Sequence, residues 1–353
     1  MTHPNTIIGA GLVGQLMAIN LAQHGAKPLL IGPPPKFLKS MVLAIHPSHM
    51  HFFQQLGLDI PSKAIKKMVL QTHHNLQIDQ KYSKHAHLCH IVHYGTLVHH
   101  IENKRRLHQI AWLKEQPKAL NQGRIKIGDA WIEPENIIAC DGSHSWTRSH
   151  TPILVQREQY DQYAHIAMIS HTAAHEIAYQ AFLPQGTLAL LPTNNPYLTA
   201  VIWSCDTQQH VKIKTDSFKN QLSAYTHKLG KIIKIEHHHN MPIVASLAET
   251  YAHQNIFLLG NALHTIHPLA GIGFNLAISD CQTLTDTILN RLPPETYTKK
   301  RKAQHLKAHY LTRCIAKTRG LHQDKGLNKI LKGLLPLQTC QQIILEQIDA
   351  ICL

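Results

Sequence analysis

The chain has 353 residues, 44% of them hydrophobic and 6% aromatic, and its 35 Lys and Arg against 21 Asp and Glu give a net charge of +14. That length buries a sizeable core, and the 7 cysteines, none in a Cys-x-x-Cys pair, argue against a disulfide framework, a zinc ribbon or a redox dithiol. The first glycine arrives at residue 9, too early for a secretion signal, and no apolar run reaches about 18 residues, so a cytoplasmic protein is expected. The basic excess leaves nucleic acid or an anionic membrane surface as partners. Few aromatics and no base-reading motif weigh against nucleic acid, so the expectation is peripheral association with the inner face of a membrane.

In chain order, Thr6-Ile7-Ile8 reads as a strand and Gly9-Ala10-Gly11-Leu12-Val13-Gly14 as a tight glycine turn opening a helix from Leu12 to His24. Glycines at this spacing let a pyrophosphate approach backbone N–H groups, and the helix N-terminus favours that anion. Leu29-Leu30-Ile31 closes a βαβ unit that Pro33-Pro34-Pro35 ends. A helical pattern covers Leu43 to Leu58, short alternating segments over 64–93 suggest a β-hairpin excursion, and a helix is expected from about Gly95 to Lys114. Ile137-Ile138-Ala139-Cys140 reads as a buried strand ending at Asp141-Gly142, the region 155–245 as a second, sheet-based domain, and Ile256-Phe257-Leu258-Leu259 as a strand leading to Gly260. A glycine-opened helix runs from about Gly273 to Leu289, and Leu327, Ile330, Leu331, Leu334 and Leu335 form one apolar helical face before Pro336. The chain also holds 30 histidines, with runs at His73-His74, His99-His100 and His237-His238-His239. Adjacent strand residues face opposite ways and no His-Glu-x-x-His occurs, so no metal site is assigned.

Three motifs in order, GAGLVG at 9–14, CDGSHSWTR at 140–148 and GNALHTIHPLAGIGFNLAISD at 260–280, resemble the flavoprotein aromatic hydroxylases of the p-hydroxybenzoate hydroxylase fold. Within that family the ubiquinone-biosynthesis polyprenylphenol hydroxylases are most similar, with further matches at Tyr160–Ala164, Ala178–Gly186 and Met241–Ile243. The resemblance implies an α/β fold with an α+β substrate region: a Rossmann-like FAD-binding domain interleaved with a β-sheet substrate domain, and a C-terminal helical segment. Its implied divisions are 1–63, 94–154 and 246–320 for the FAD-binding domain, 64–93 as an excursion toward the substrate domain, 155–245 as that domain, and 321–353 as C-terminal helices. Gly9, Gly11 and Gly14 would hold the ADP pyrophosphate. Asp141 and Gly142 belong to a motif associated with FAD and pyridine nucleotide. Gly260 would belong to the cofactor site, Asn261 would meet the ribityl chain, and His267, Pro268, Gly271, Gly273 and Asn275 would line the isoalloxazine. Phe182, Leu190 and Trp203 are candidate apolar pocket residues.

The implied reaction is hydroxylation of a lipophilic polyprenylated phenol or quinol through a C4a-hydroperoxyflavin, with O2 as co-substrate and NAD(P)H or a separate reductase as electron donor. The flavin does the chemistry, so no catalytic side chain is nominated. Departures motivate an alternative reading, a flavin-poor homologue serving as an assembly subunit beside other ubiquinone-biosynthesis proteins. Gly32 stands where relatives place a ribose-binding Glu, Met41 where they keep Arg, and Ile272 where they have Gln.

Overall fold

In the computed structural model, residues 4–35, 40–71, 76–268, 271–317 and 337–352 are described. Strand β1 (Asn5–Ile8) is buried along its whole length, because the sheet it belongs to is covered on both faces: Ile7 packs among helices on one side, and Ile8 packs against Ile125 and Ile127 on the other. Helix α1 (Leu12–Gln23) returns the chain to β2 (Leu29–Ile31), parallel to β1 with Ile7 opposite Leu30. Further along come β8 (Ala111–Leu113), β12 (Asn136–Ala139), β18 (Ala252–His253) and β19 (Ile256–Leu258). They complete one sheet in the order β18-β19-β12-β1-β2-β8, parallel except for β18. The C-terminal ends of β1, β12 and β19 therefore deliver three remote turns to one edge, where open α/β sheets bind ligands.

Two expected helices are shorter than their sequence patterns. Residues 42–45 form strand β3 (Val42–Ile45), and only Pro47–Gln55 is helical, as α2. The apolar run at Val42–Ile45 satisfies either period, and Pro47, which sits well in a first helical turn, fixes where the helix begins. Helix α3 (Tyr94–Leu107) stops before Gln109, whose φ of +50° turns the chain into β8. The excursion also divides: β7 (Cys89–His93) pairs with β3 on one side and β4 (Lys63–Ile65) on the other, whereas β5 (Lys67–Gln71) and β6 (Leu76–Asp79) join the second large sheet. A three-stranded sheet of β9 (Ala119–Asn121), β10 (Arg124–Ile127) and β11 (Ala130–Ile132) precedes β12.

The second sheet is built on β13 (Val155–His171), β14 (Ala178–Leu183), β15 (Gly186–Pro192), β16 (Leu198–Asp206) and β17 (Ile232–Ala248). With β20 (His264–Thr265) its order is β20-β17-β13-β16-β15-β14-β5-β6. β17 runs on past residue 245 and β20 comes from the 260–280 motif, so the sheet reaches into the cofactor half. Between β12 and β13 lies the short helix α4 (Trp146–Ser149). Helices α5 (Thr207–Asp216) and α6 (Phe218–Ser223) cover one face of the sheet. α7 (Ile272–Leu289) and α8 (Pro294–Lys317) pack together, and α9 (Leu337–Cys352) lies against both. The apolar stripe from Leu327 to Leu335 falls outside the described residues. Among the described residues no helix is long and apolar enough to cross a membrane.

Candidate functional site: a dinucleotide cradle beside a sheet floor

The glycine turn is dictated by crowding. Gly9 has φ +109°, and a Cβ there would lie 2.3 Å from the Cys140 carbonyl oxygen at the end of β12. At Gly14, in the first turn of α1, a Cβ would lie 1.9 Å from the Gly9 oxygen. Gly11 differs: it is the N-cap of α1, and a Cβ on it would meet nothing within 4 Å. No side chain caps α1 and its first turn carries no acid. Two glycines thus close the turn, while the third leaves space before unpaired helix N–H groups, as an oxyanion requires.

The second turn, after β12, is held by Asp141. Its carboxylate accepts from the Ser145 hydroxyl and from the Thr147 N–H (2.8 Å) and hydroxyl (2.9 Å). Asp141 therefore shapes the corner, and Gly142 (φ +87°), with nothing within 4 Å of a Cβ, supplies the open backbone. Arg148, in a quoted motif but not singled out there, links this turn to the third by donating to the Ala262 and Ser143 carbonyls. Gly260 (φ +61°) brings the third turn against α1, where a Cβ would sit 3.1 Å from Val13, and leaves Asn261 exposed beside the glycine turn.

At the far end of the third turn His267 is buried and its Nε2 hydrogen-bonds Gln162 Oε1 at 2.7 Å. Burial pushes its pKa down to about 4, so the ring is neutral at pH 7 and Nε2–H donates. Pro268 is half-buried. Gly271 is the left-handed N-cap of α7 (φ +62°) and packs on Ala44, while Gly273 faces open space. Asn275 is committed to the protein: Nδ2 donates to Ala44 O (2.8 Å) and Gly271 O (3.0 Å), and Oδ1 accepts from His46 N (2.8 Å) and His49 Nδ1 (2.9 Å). Its amide therefore sets the loop, and a ligand here would meet the uncapped N-terminus of α7. His46, His49 and Gln162 escaped the sequence reading. Gln162 lay inside the quoted Tyr160–Ala164 match, whereas the histidines carried no local signal.

The sheet supplies the other wall, and here the pocket residues separate. Leu190 and Trp203 lie in the core between the sheet and α5 and α6, with Trp203 wholly buried against Phe218 and Tyr225. They are packing residues on the face remote from His267, a correction that follows from alternation along a strand. The opposite face reads across β13, β16, β15 and β14 in rows: Ala164, Ser204, Thr187, Phe182, and then Ile166, Ile202, Ala189, Gln180. Gln162 shares that face. Phe182, Thr187, Ile166, Ile202 and Gln180 are half-buried, so this floor remains accessible and combines apolar side chains with the amides of Gln162 and Gln180 and the hydroxyls of Thr187 and Ser204.

The sequence matches the FAD binding domain family over residues 3–303. The chain belongs to this family of FAD-dependent monooxygenases. It is 25% identical over 315 residues to the 3-demethoxyubiquinol 3-hydroxylase of Escherichia coli, covering 80% of this chain and 79% of that one. To the ubiquinone hydroxylase UbiM of Neisseria meningitidis it is 24% identical, covering 80% and 68%. Among solved structures, p-nitrophenol 4-monooxygenase PnpA from Pseudomonas putida superposes with a TM-score of 0.78 at 13% identity, over 99% of this chain and 96% of that one. The fold is thus that of the FAD-dependent aromatic hydroxylases.

Just past the end of β2, Gly32 has φ +129°, with its N–H donating to Leu113 O (2.9 Å) and its carbonyl accepting from Trp112 Nε1 (2.8 Å). Beneath the cradle Asp280 of α7 is sealed from solvent. Its Oδ1 accepts from Arg301 Nε (2.7 Å), and its Oδ2 from His264 and His305 Nε2 (3.0 Å each). Burial alone would raise the Asp280 carboxyl, but His305 and His264 beside it outweigh that and hold it well below the usual carboxylate range. His305 Nδ1 reaches Tyr251 OH at 2.7 Å, so the cluster ties α7 and α8 to the strand edge that delivers Gly260. Although these two histidines and Asp280 are spaced for a metal ion, Arg301 already neutralises the carboxylate and would repel a cation.

Proposed function

We propose that this protein hydroxylates the aromatic ring of a polyprenylated phenol or quinol in ubiquinone formation. One observation carries the reading: His267, on the turn leading to the open N-terminus of α7, is hydrogen-bonded to Gln162 on the sheet face that bears Phe182, Ile166 and Ile202. The redox end of a dinucleotide laid along the three turns would then face a floor whose apolar side chains suit a hydrophobic ring.

Bound there, FAD supplies the oxygen-activating chemistry, with NAD(P)H or a separate reductase as electron source and O2 as oxidant. The chain's own residues bind and orient. Backbone N–H groups at Gly11 to Val13 would hold the pyrophosphate, Asn261 would offer an amide to ribityl hydroxyls, and the α7 N-terminus would favour negative charge on the flavin. His267, neutral and tethered to Gln162, fixes the distance between turn and floor without adding charge. Phe182, Ile166 and Ile202 would exclude water from the ring-binding side.

A lipid-dissolved substrate calls for membrane contact, and α8 offers a surface for it. Leu306 (51% exposed) and Tyr310 (72%) stand out beside exposed Lys299, Lys300, Lys302 and Arg313. Sedimentation with anionic vesicles but not neutral ones is the expected outcome, and equal behaviour with both removes the membrane from the proposal. The central test is the absorbance spectrum of purified protein after FAD addition and gel filtration, followed by hydroxylation assays on short-chain polyprenylphenols. Near-stoichiometric flavin with product formation is expected. A folded, flavin-free protein that co-purifies with other quinone-pathway proteins would replace the enzyme reading by that of an assembly subunit.

A further inference from the structure

Away from the dinucleotide cradle, three segments remote in sequence bring metal-ligating side chains together: His46 at the N-cap of α2, His85 in the connection between β6 and β7, and Asp349 on α9. His46 Nε2 lies 2.9 Å from Asp349 Oδ1 and His85 Nε2 lies 3.7 Å from the same oxygen, with the two rings edge to face at 4.9 Å. One donor atom from each residue lies within 4.8 Å of the other two. Around a tetrahedral ion with bonds of about 2.0–2.1 Å, neighbouring donors stand about 3.3 Å apart. The two measured separations fall on either side of that value, so the ion would enter with shifts of about half an ångström per side chain.

We propose that His46, His85 and Asp349 form a site for a divalent cation of the zinc class that fastens the C-terminal helix α9 to the body of the protein. The donor set, two imidazoles and one carboxylate, is that of three-ligand zinc sites that keep a fourth position for water. That position has a route to solvent, because the His85 and Asp349 side chains retain 26% and 19% exposure. Burial lowers the His46 pKa, which favours the neutral ring a metal needs. Coordination through Nε2 moves the remaining His46 proton to Nδ1 and gives up a long, 3.3 Å contact from the Ser48 N–H. The Asp280 cluster shows the contrast: it has the same residue types, but with a guanidinium on the carboxylate and no exposure.

The site would also act at a distance from its ligands. His46 donates its backbone N–H to Asn275 Oδ1, and the same amide holds the Gly271 carbonyl at the start of α7. At the end of α9, the Cys352 carbonyl accepts from the Ser279 hydroxyl. Closing the cation site thus clamps α9 over the corner from which the third turn is positioned, whether or not that turn holds a flavin.

The test uses the full chain, stripped with a chelator, loaded with zinc sulfate, gel-filtered to remove ions held weakly by the many surface histidines, and assayed for metal by mass spectrometry. Wild type and His51→Ala, which alters an exposed histidine of α2, are expected to retain one zinc per chain. His85→Ala and Asp349→Asn should lose it, and zinc should slow proteolytic release of the C-terminal helix in wild type and His51→Ala but not in the two ligand variants. No retained zinc in wild type, or equal zinc in all four proteins, overturns the proposal. Should either ligand variant fail to fold, zinc-edge X-ray absorption on wild type decides: two imidazoles with oxygen are expected, and sulfur ligation refutes the site.

Discussion

The three glycine turns and the eight-stranded sheet use their residues in opposite ways. In the turns, function lies in backbone that side chains must stay away from: a Cβ at Gly9 or Gly14 would overlap the main chain, while Gly11, Gly142 and Gly273 leave open space. In the sheet, what matters is which side chain points to which face, and Trp203 and Phe182 belong to opposite ones. Steric exclusion leaves a mark at a fixed position in the sequence. Facing does not, because a period of two is satisfied equally by either assignment.

The largest effect should come from filling the first turn. Gly14→Val places carbon where the Gly9 oxygen stands at 1.9 Å, so it should abolish both flavin retention and native stability, read by flavin absorbance and thermal unfolding. Gly11→Ala meets nothing in the protein. It should keep the unfolding temperature within a few degrees while weakening FAD binding by roughly tenfold or more, about 1.4 kcal/mol. If Gly11→Ala unfolds the protein instead, the space above it belongs to the fold, and the division between closing and binding glycines fails.

The same division applied to the sheet gives the next largest effect. Trp203→Ala removes a fully buried indole from the core under α5 and α6 and should cost about 3–5 kcal/mol in denaturant unfolding. Phe182→Ala, on the half-buried face, should cost less than half as much and instead raise KM for the aromatic substrate. A stability loss at Phe182 equal to that at Trp203, with KM unmoved, would exchange the two faces. Leu190 and Trp203 lacked this distinction in the sequence, since only pairing with neighbouring strands decides which alternate residues meet helices. The three motifs, by contrast, placed β1, β12, β19 and the start of α7 within a residue or so. The network from Asn275 to His46 and His49 stayed invisible because its members lie more than 200 residues apart and share no motif.

Gly32 bridges the two kinds of site, since the sequence shows a missing carboxylate and the structure shows a constrained backbone. At φ +129°, with a Cβ position 3.3 Å from Ala10 N, this residue cannot take a side chain without strain. Gly32→Glu should therefore lower stability by about 1–3 kcal/mol without tightening FAD. Tighter flavin binding with unchanged stability would show that β2 relaxes readily and that the departure is a simple deletion of a contact.

The smallest effect should be a slope rather than a loss. His267 in the cofactor half and His165 in the substrate sheet are both held neutral mainly by burial, with pKa values pushed down to about 4 and about 3 from an ordinary 6.5. The unfolded chain binds protons on these rings below pH 6.5 and the folded chain does not, so stability is full above pH 6.5 and falls as the pH drops toward 4. Each ring contributes up to about 1.4 kcal/mol per pH unit in that window. Replacing either by Gln should flatten the dependence of unfolding on pH by about one proton. Only His267→Gln should also lower flavin content at pH 7, because His267 ties the third turn to Gln162, whereas His165 bonds His238 and His210 on the helix-covered side. Equal flavin loss in both variants would mean that the sheet and the cradle respond as one unit, and the contrast between backbone-built and side-chain-built sites would then hold for geometry but not for energy.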